Sequence, residues 1–303
     1  MEIRKLPASR GLDWFKQSVN LGARNPRAVF GASLLLIVVL YLVALLALLP
    51  AISIAKQDQT PALGSLLTAV APVFLVVVFL VPILIGGLMH VIREAEAGRP
   101  VRALDLFAPF RQRKAGSLAM LGVIQLVLGL IGGVIMVSLA GADYWKDYLA
   151  ALSGALSGRV PITPQPDNPM LMLLANLVFN YFSYAIMLLA VPLILFAGRS
   201  LGDAVKDSLR ASVRNIGANL LAAVLFVGGL VVATLLLMLL AMLVSAIAGL
   251  IHKALAGLLV AVIFLVFAAV VLVVLVGGAY VAWRDTFGDE AAPGTAVVDS
   301  IEL

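Results

Sequence analysis

Six long runs wholly free of Asp, Glu, Lys and Arg decide what this chain is able to fold into. They cover about residues 28–49, 63–91, 116–140, 170–197, 216–250 and 254–283. A helix crosses a hydrocarbon core of roughly 30 Å with about 20 residues. Each run is long enough, and several leave length for tilt. The runs are rich in Val and Ile, which taken alone would also fit buried strands. In lipid every backbone N–H and C=O must be satisfied within the segment, and that demand, with the length, selects helices. The expected fold is all-α: a polytopic membrane protein of six transmembrane helices forming one domain over residues 1–288.

Composition agrees. Of 303 residues, 63% are hydrophobic and 12% charged, where a soluble domain carries about a quarter charged. A bilayer must therefore solvate much of the surface. The net charge of +5 sits between the apolar runs, so it points to anionic headgroups and topology rather than to nucleic acid. The absence of Cys excludes disulfides, thiolate metal sites and a Cys nucleophile. Two histidines, His90 and His252, stand too far apart to indicate a metal centre. No cofactor is expected. No A-x-A-like cleavage site precedes a soluble domain, so the first run is expected to be retained as an anchor.

The cations set the orientation. Arg4, Lys5, Arg10, Lys16, Arg24 and Arg27 precede the first run. Arg93, Arg99, Arg102, Arg111, Arg113 and Lys114 fill the second connection. Arg199, Lys206, Arg210 and Arg214 fill the fourth, and Arg284 follows the last run. The other side holds Lys56, Lys146, Arg159 and Lys253. Positive connections stay in the cytoplasm, so both termini are expected there, in a bacterial cytoplasmic (inner) membrane.

An internal repeat is visible. A shift of 190 residues pairs Lys16 with Lys206, Ser18 with Ser208, Arg24 with Arg214 and Asn25 with Asn215. A shift of 191 pairs Gly86-Gly87 with Gly277-Gly278, Arg93 with Arg284 and Glu94 with Asp285. A fainter middle unit echoes both: Asp105-Leu106-Phe107 resembles Asp13-Trp14-Phe15, and Val191-Pro192 resembles Val81-Pro82. The expected arrangement is three parallel-repeat helical hairpins, about 11–98, 103–199 and 201–288, each led by a cytoplasmic interfacial helix. In the first such helix Trp14, Phe15, Ser18, Val19 and Gly22 share a face, with Lys16 and Arg24 off it. An apolar stripe beside cations suits a headgroup boundary. Asn25-Pro26 then marks a turn. In the third, Ala204, Val205, Ser208, Leu209 and Ser212 make a poorer stripe. The candidate lipid contacts are Trp14, Phe15, Lys16, Arg24, Lys206 and Arg214; the plainer alternative is an ordinary topogenic flank.

Residues 141–169 form the one long outer connection, expected to be periplasmic. Tyr144, Tyr148, Leu149, Leu152 and Leu156 fit one face of a short helix, and Trp145 adds an aromatic anchor. The acidic tail 289–303 is expected to be disordered.

Chemistry inside the bilayer would announce itself as an ionisable residue deep in a span, and none is there. That argues against a proton-coupled pump and against intramembrane proteolysis. No P-loop, dinucleotide glycine motif or nucleophile elbow is present. Glu94, Glu96, Asp105, Asp203 and Asp207 are the only plausible acidic contributors to an enzyme, and loop ion pairing accounts for them more simply. The neutral polar residues are Gln125, on a face with Gly122 and Gly129, and Asn176, Asn180 and Tyr184, recurring at i, i+4 and i+8 with Ser183 beside them. They either line a polar cleft or join helices, at roughly 1 kcal/mol or less per bond. Gly129-x-x-x-Gly133 has the form of a close helix contact. Pro72, Pro82 and Pro192 each free a carbonyl inside a span and are candidate kinks.

LPASRGLDWFKQSVNLGARNP near the start and VPILIGGLMHVIREAEAGRPV later resemble a family of uncharacterised bacterial six-span inner-membrane proteins. The hairpin pattern is more distantly similar to the membrane domain of some glycerophosphoryl diester phosphodiesterases, whose catalytic barrel and metal ligands this chain lacks. The resemblance implies location and supplies no activity. The expected function is therefore that of a non-enzymatic membrane protein contacting lipids, or a membrane or cytoplasmic protein partner, through its cytoplasmic amphipathic helices. The alternative is a transporter or lipid-translocating protein with a polar cleft among its spans.

Overall fold

A computed structural model describes residues 2–57, 63–141, 143–156, 160 and 164–288. Every regular element among them is helical. The helices are α1 (Arg10–Asn20), α2 (Pro26–Gln57), α3 (Leu63–Glu96), α4 (Ala108–Arg111), α5 (Ala115–Ala140), α6 (Tyr144–Leu156), α7 (Pro169–Leu195), α8 (Leu201–Arg214), α9 (Ile216–Gly249) and α10 (Lys253–Phe287). A 3-10 turn, Ala103–Phe107, runs into α4. Six of them, α2, α3, α5, α7, α9 and α10, are long and apolar enough to cross a membrane. The chain is an all-helical, multi-pass membrane protein. The acidic tail 289–303 and residues 157–159 and 161–163 of the long connection lie outside the described residues.

The helices outrun the uncharged stretches. α2 continues through Pro50, and α3 continues to Glu96 past Pro72 and Pro82. α7 runs through Pro192. Pro82 and Pro192 are buried, while Pro72 is exposed. The link between α9 and α10 is three residues, Leu250 to His252, and the His252 Nδ1 caps α10 by accepting the Ala254 N–H at 3.1 Å.

Consecutive long helices pack together: α2 with α3, α5 with α7 and α9 with α10, and α3 packs on α5 as well. The second members, α3, α7 and α10, also meet one another. The buried residues of these three helices cluster toward the end that carries the basic connections. There Leu84, Leu88, Met89 and Ile92 of α3 join Leu193 and Ile194 of α7 and Val281 and Trp283 of α10, all at most 1% exposed. Away from that end the burial fades. No described side chain between Gly64 and Phe79 of α3, or between Pro169 and Ala185 of α7, is buried. Between Lys253 and Leu272 of α10 only Ala256 and Ala269 are. Lipid tails are as apolar as Leu, so burial there gains little, and helices touch where small or polar residues let them. Gly122 sits where a Cβ would be 2.2 Å from the Val78 carbonyl oxygen, and Gly132 accepts the Phe179 ring. Ser33 Oγ donates to the Ala269 carbonyl at 2.9 Å, tying α2 to α10.

The short helices do not lie over the bundle as a separate layer. α1 is wedged against α9 and α10, the 3-10 turn against α2 and α3, and α8 chiefly against α7. The 3-10 turn and α8 thus pack on the helix pair before their own, and α1 packs on the α9–α10 pair.

Candidate functional site

The basic end, where the three leading elements and the inner helices converge, gathers most of the polar chemistry of the chain. It is built from α1 inward. Gly11 lies where a Cβ would be 2.4 Å from the Ala218 carbonyl and 2.8 Å from the Ala222 nitrogen, so only glycine permits this approach to α9. One turn on, Trp14 is 1% exposed, and its Nε1 donates to Asp285 Oδ2 at 3.0 Å. Arg10 meets the same oxygen at 2.6 Å. Arg284 donates to Gln17 Oε1 at 2.7 Å. Phe15 stands edge-on to Phe226, ring centres 5.3 Å apart. The inward face of α1 is therefore satisfied by protein, whereas Leu12 and Val19 are exposed. Trp14 points into the bundle, Phe15 is half-buried, and Lys16 and Arg24 are exposed.

Two asparagines hold the approaches to the leading elements. Asn215 accepts the Leu6 N–H at 2.8 Å and donates to the Arg4 carbonyl at 3.0 Å. Asn25 donates to the Val101 carbonyl at 3.4 Å and accepts the Ala28 N–H at 3.2 Å. Arg4–Leu6 leads into α1, and Val101 leads into the 3-10 turn. That turn then presses on α3 at Gly87, where a Cβ would fall 1.7 Å from the Leu106 carbonyl oxygen. Asp105 accepts the Arg102 N–H at 2.8 Å and pairs with Arg111. These two contacts, the backbone N–H foremost, hold its carboxyl below the usual carboxylate range. Arg102, Asp105 and Arg111 line a depression of about 480 Å³ with Asn25, Pro100, Val101 and Leu104.

α8 closes the third side. Ser200 caps it by accepting the Asp203 N–H. Ser208 and Ser212 are fully buried, and the Ser212 carbonyl accepts the Tyr181 hydroxyl at 2.8 Å. Asn219 donates to the same hydroxyl at 3.2 Å. Asp207 pairs with Arg199 at 3.0 Å. At the junction of the inner helices the Arg93 guanidinium lies 4.6 Å over the Phe196 ring, which packs in turn on Trp283 at 5.3 Å.

The acidic residues weighed as catalytic contributors mostly have structural work. Glu94 pairs with Arg99, Asp105 with Arg111 and Asp207 with Arg199. No cluster of His, Asp and Glu fit for a metal occurs among the described residues. The cations behave differently. Lys5, Lys16, Arg27, Arg113, Lys206, Arg210 and Arg214 are exposed and meet no carboxylate among the described residues. Among the described residues Arg24 reaches only the Glu96 backbone carbonyl.

The polar residues within the spans are not brought to one place. Gln125 is engaged with α7: its Nε2 donates to the Ser183 carbonyl at 2.9 Å, and the Ser183 hydroxyl donates to its Oε1 at 2.8 Å. Asn180 Nδ2 donates to the Asn176 carbonyl and to Asn176 Oδ1, within the same helix. Asn176 and Tyr184 are exposed. Gly129 and Gly133, expected at a helix contact, face open space; the contact glycines of α5 are Gly122 and Gly132. Spacing alone does not separate these sets, because all four lie in one uncharged run. Asp285 was also missed as an anchor of α1, and its alignment with Glu94 in the 191-residue shift was the available signal.

No protein-family model, curated protein or solved structure matches the chain.

Proposed function

We propose that the chain is a multi-pass protein of the bacterial cytoplasmic membrane, with both termini inside, and that it binds anionic lipid headgroups of the inner leaflet through the cations of its leading elements. It acts as a non-enzymatic contact for lipids or a partner protein. The observation that carries this reading is the division within each leading helix. In α1 Trp14 and Ser18 are buried while Lys16 is exposed; in α8 Ser208 and Ser212 are buried while Lys206, Arg210 and Arg214 are exposed. The buried side is spent on docking, and these exposed cations have no carboxylate partner among the described residues. A cation near an anionic membrane surface contributes about 1 kcal/mol, so several on one rim give a preference well above tenfold. The three hairpins are parallel repeats in this reading, supported by the shared task of Asn25 and Asn215. A translocation path for a polar solute has less support, since Leu84, Leu88, Leu193 and Val281 fill the centre of the basic end and Gln125 is already bonded.

The test is the intact protein in nanodiscs of mixed anionic and zwitterionic lipid, followed by mass spectrometry of retained lipids. The wild type is expected to retain anionic lipid. The combined change Lys16→Gln, Arg24→Gln, Lys206→Gln and Arg214→Gln is expected to lower that retention severalfold at unchanged melting temperature. Equal retention of both lipid classes by the wild type overturns the reading.

A further inference from the structure

One face of α7 is dressed for a partner that no described residue supplies. Met170, Leu173, Leu177, Asn180 and Tyr184 follow the alternating spacing of three and four that defines a heptad seam. Met170, Leu173, Leu177 and Tyr184 are 68%, 53%, 58% and 64% exposed. The seam lies across the helix from Phe179, which meets Gly132 of α5, and from Ile186 and Leu193, which are buried in the core. Its fourth position is an asparagine. Asn180 stands 11 residues from Pro169 and 15 from Leu195, the ends of α7, so it lies at membrane depth. Its Nδ2 is engaged with Asn176, but among the described residues its Oδ1 accepts nothing and Asn176 Nδ2 donates to nothing. Hydrocarbon offers neither group a partner.

We propose that this face is an interface between two copies of the chain, related by a two-fold axis along the membrane normal, with α7 packed parallel on α7. The occupant follows from complementarity. Identical chains insert with the same orientation, so the two-fold puts Asn180 opposite Asn180 at equal depth. A primary amide carries donors and an acceptor, so once Asn180 Nδ2 turns from Asn176 toward the partner copy the two Asn180 amides are complementary to each other. A seam of apolar residues with one amide is also the pattern by which a coiled coil fixes register and partner number. The interface is isologous and closes at two copies.

The native chain has no Cys, so single cysteines report directly. The full chain is reconstituted at decreasing protein-to-lipid ratio and oxidised, carrying Leu177→Cys on the seam or Val178→Cys beside it, also exposed at 58%. Disulfide dimers are expected at position 177 and not at 178. Adding Asn180→Leu is expected to lower the dimer fraction about fivefold at the dilute end, the effect of one interhelical amide bond. Circular dichroism and detergent melting confirm that each variant is folded. Equal cross-linking at 177 and 178, monomer throughout in folded protein, or a dimer indifferent to Asn180→Leu overturns the proposal. So does capture of a different protein at position 177 in native membranes.

Discussion

Asp285 shows how one side chain closes the molecule. It takes Arg10 and the Trp14 indole on the same oxygen, from a helix more than 270 residues earlier in the chain. Asp285→Ala leaves a buried indole N–H without its acceptor and Arg10 without its main partner, and losing such a group costs about 1–3 kcal/mol. The expected result is a clearly lower melting temperature in detergent and earlier tryptic cleavage within residues 4–27. Gly11 is the second sensitive point. Gly11→Val drives side-chain carbons into the backbone of α9 and is expected to release α1, whereas Gly129→Ala, at a position facing open space, is expected to leave melting unchanged. A third test uses pH. Asp105 has its carboxyl lowered by the Arg102 N–H and Arg111, so its contribution is full above the ordinary carboxylate range and is lost as pH falls through the depressed value. Asp105→Asn is therefore expected to weaken docking of the 3-10 turn at neutral pH and to flatten the acid limb of a stability profile. Its partner Arg111 is 62% exposed, so the difference is small.

At the scale of elements, the leading helices were legible and their placement was not. The segregation of Trp14, Ser18 and Lys16 around α1 marks an amphipathic helix from sequence alone. The apolar stripe does not say what it lies on. A membrane surface and the groove between two helices demand the same pattern, and the cue for the groove was Gly11, whose missing side chain is needed only where backbone meets backbone. The asparagines were the clearer signal. Asn25 and Asn215 coincide under a shift of 190 residues, and each amide grips the backbone leading into an element that packs on its own helix pair. Polar matches of this kind carry information because hydrogen-bond geometry restricts them, whereas Val, Ile and Leu interchange freely in lipid. Asn25→Ala and Asn215→Ala are expected to cost similar amounts, about 1 kcal/mol each, read as similar shifts in melting temperature.

At the scale of the whole molecule, the six spans were evident from length and charge, but the two-tier packing was not. Uniform hydrophobicity hides which part of a span faces protein, because lipid and core select the same residues. The tiers predict unequal sensitivity to truncation. Leu88→Ala, in the fully buried tier, is expected to cost roughly 2–5 kcal/mol. Leu130→Ala, 64% exposed on α5, is expected to be nearly neutral. Thermal unfolding of both variants in one detergent distinguishes a packed basic end from a bundle packed evenly along its length.

The docking of α1 on α9 and α10 also sets an order in time. A ribosome delivers Arg10 and Trp14 long before Asp285 exists, so α1 emerges with its groove unmade. The pairs α2–α3 and α5–α7 are able to assemble as they enter the bilayer, while α1 waits for α9 and α10. This is a contact of very high sequence separation, which slows folding, and it makes completion of the chain the event that locks the basic end. A nascent chain halted before residue 216, lacking both α9 and α10, is therefore expected to display α1 to protease, and the released chain to hide it.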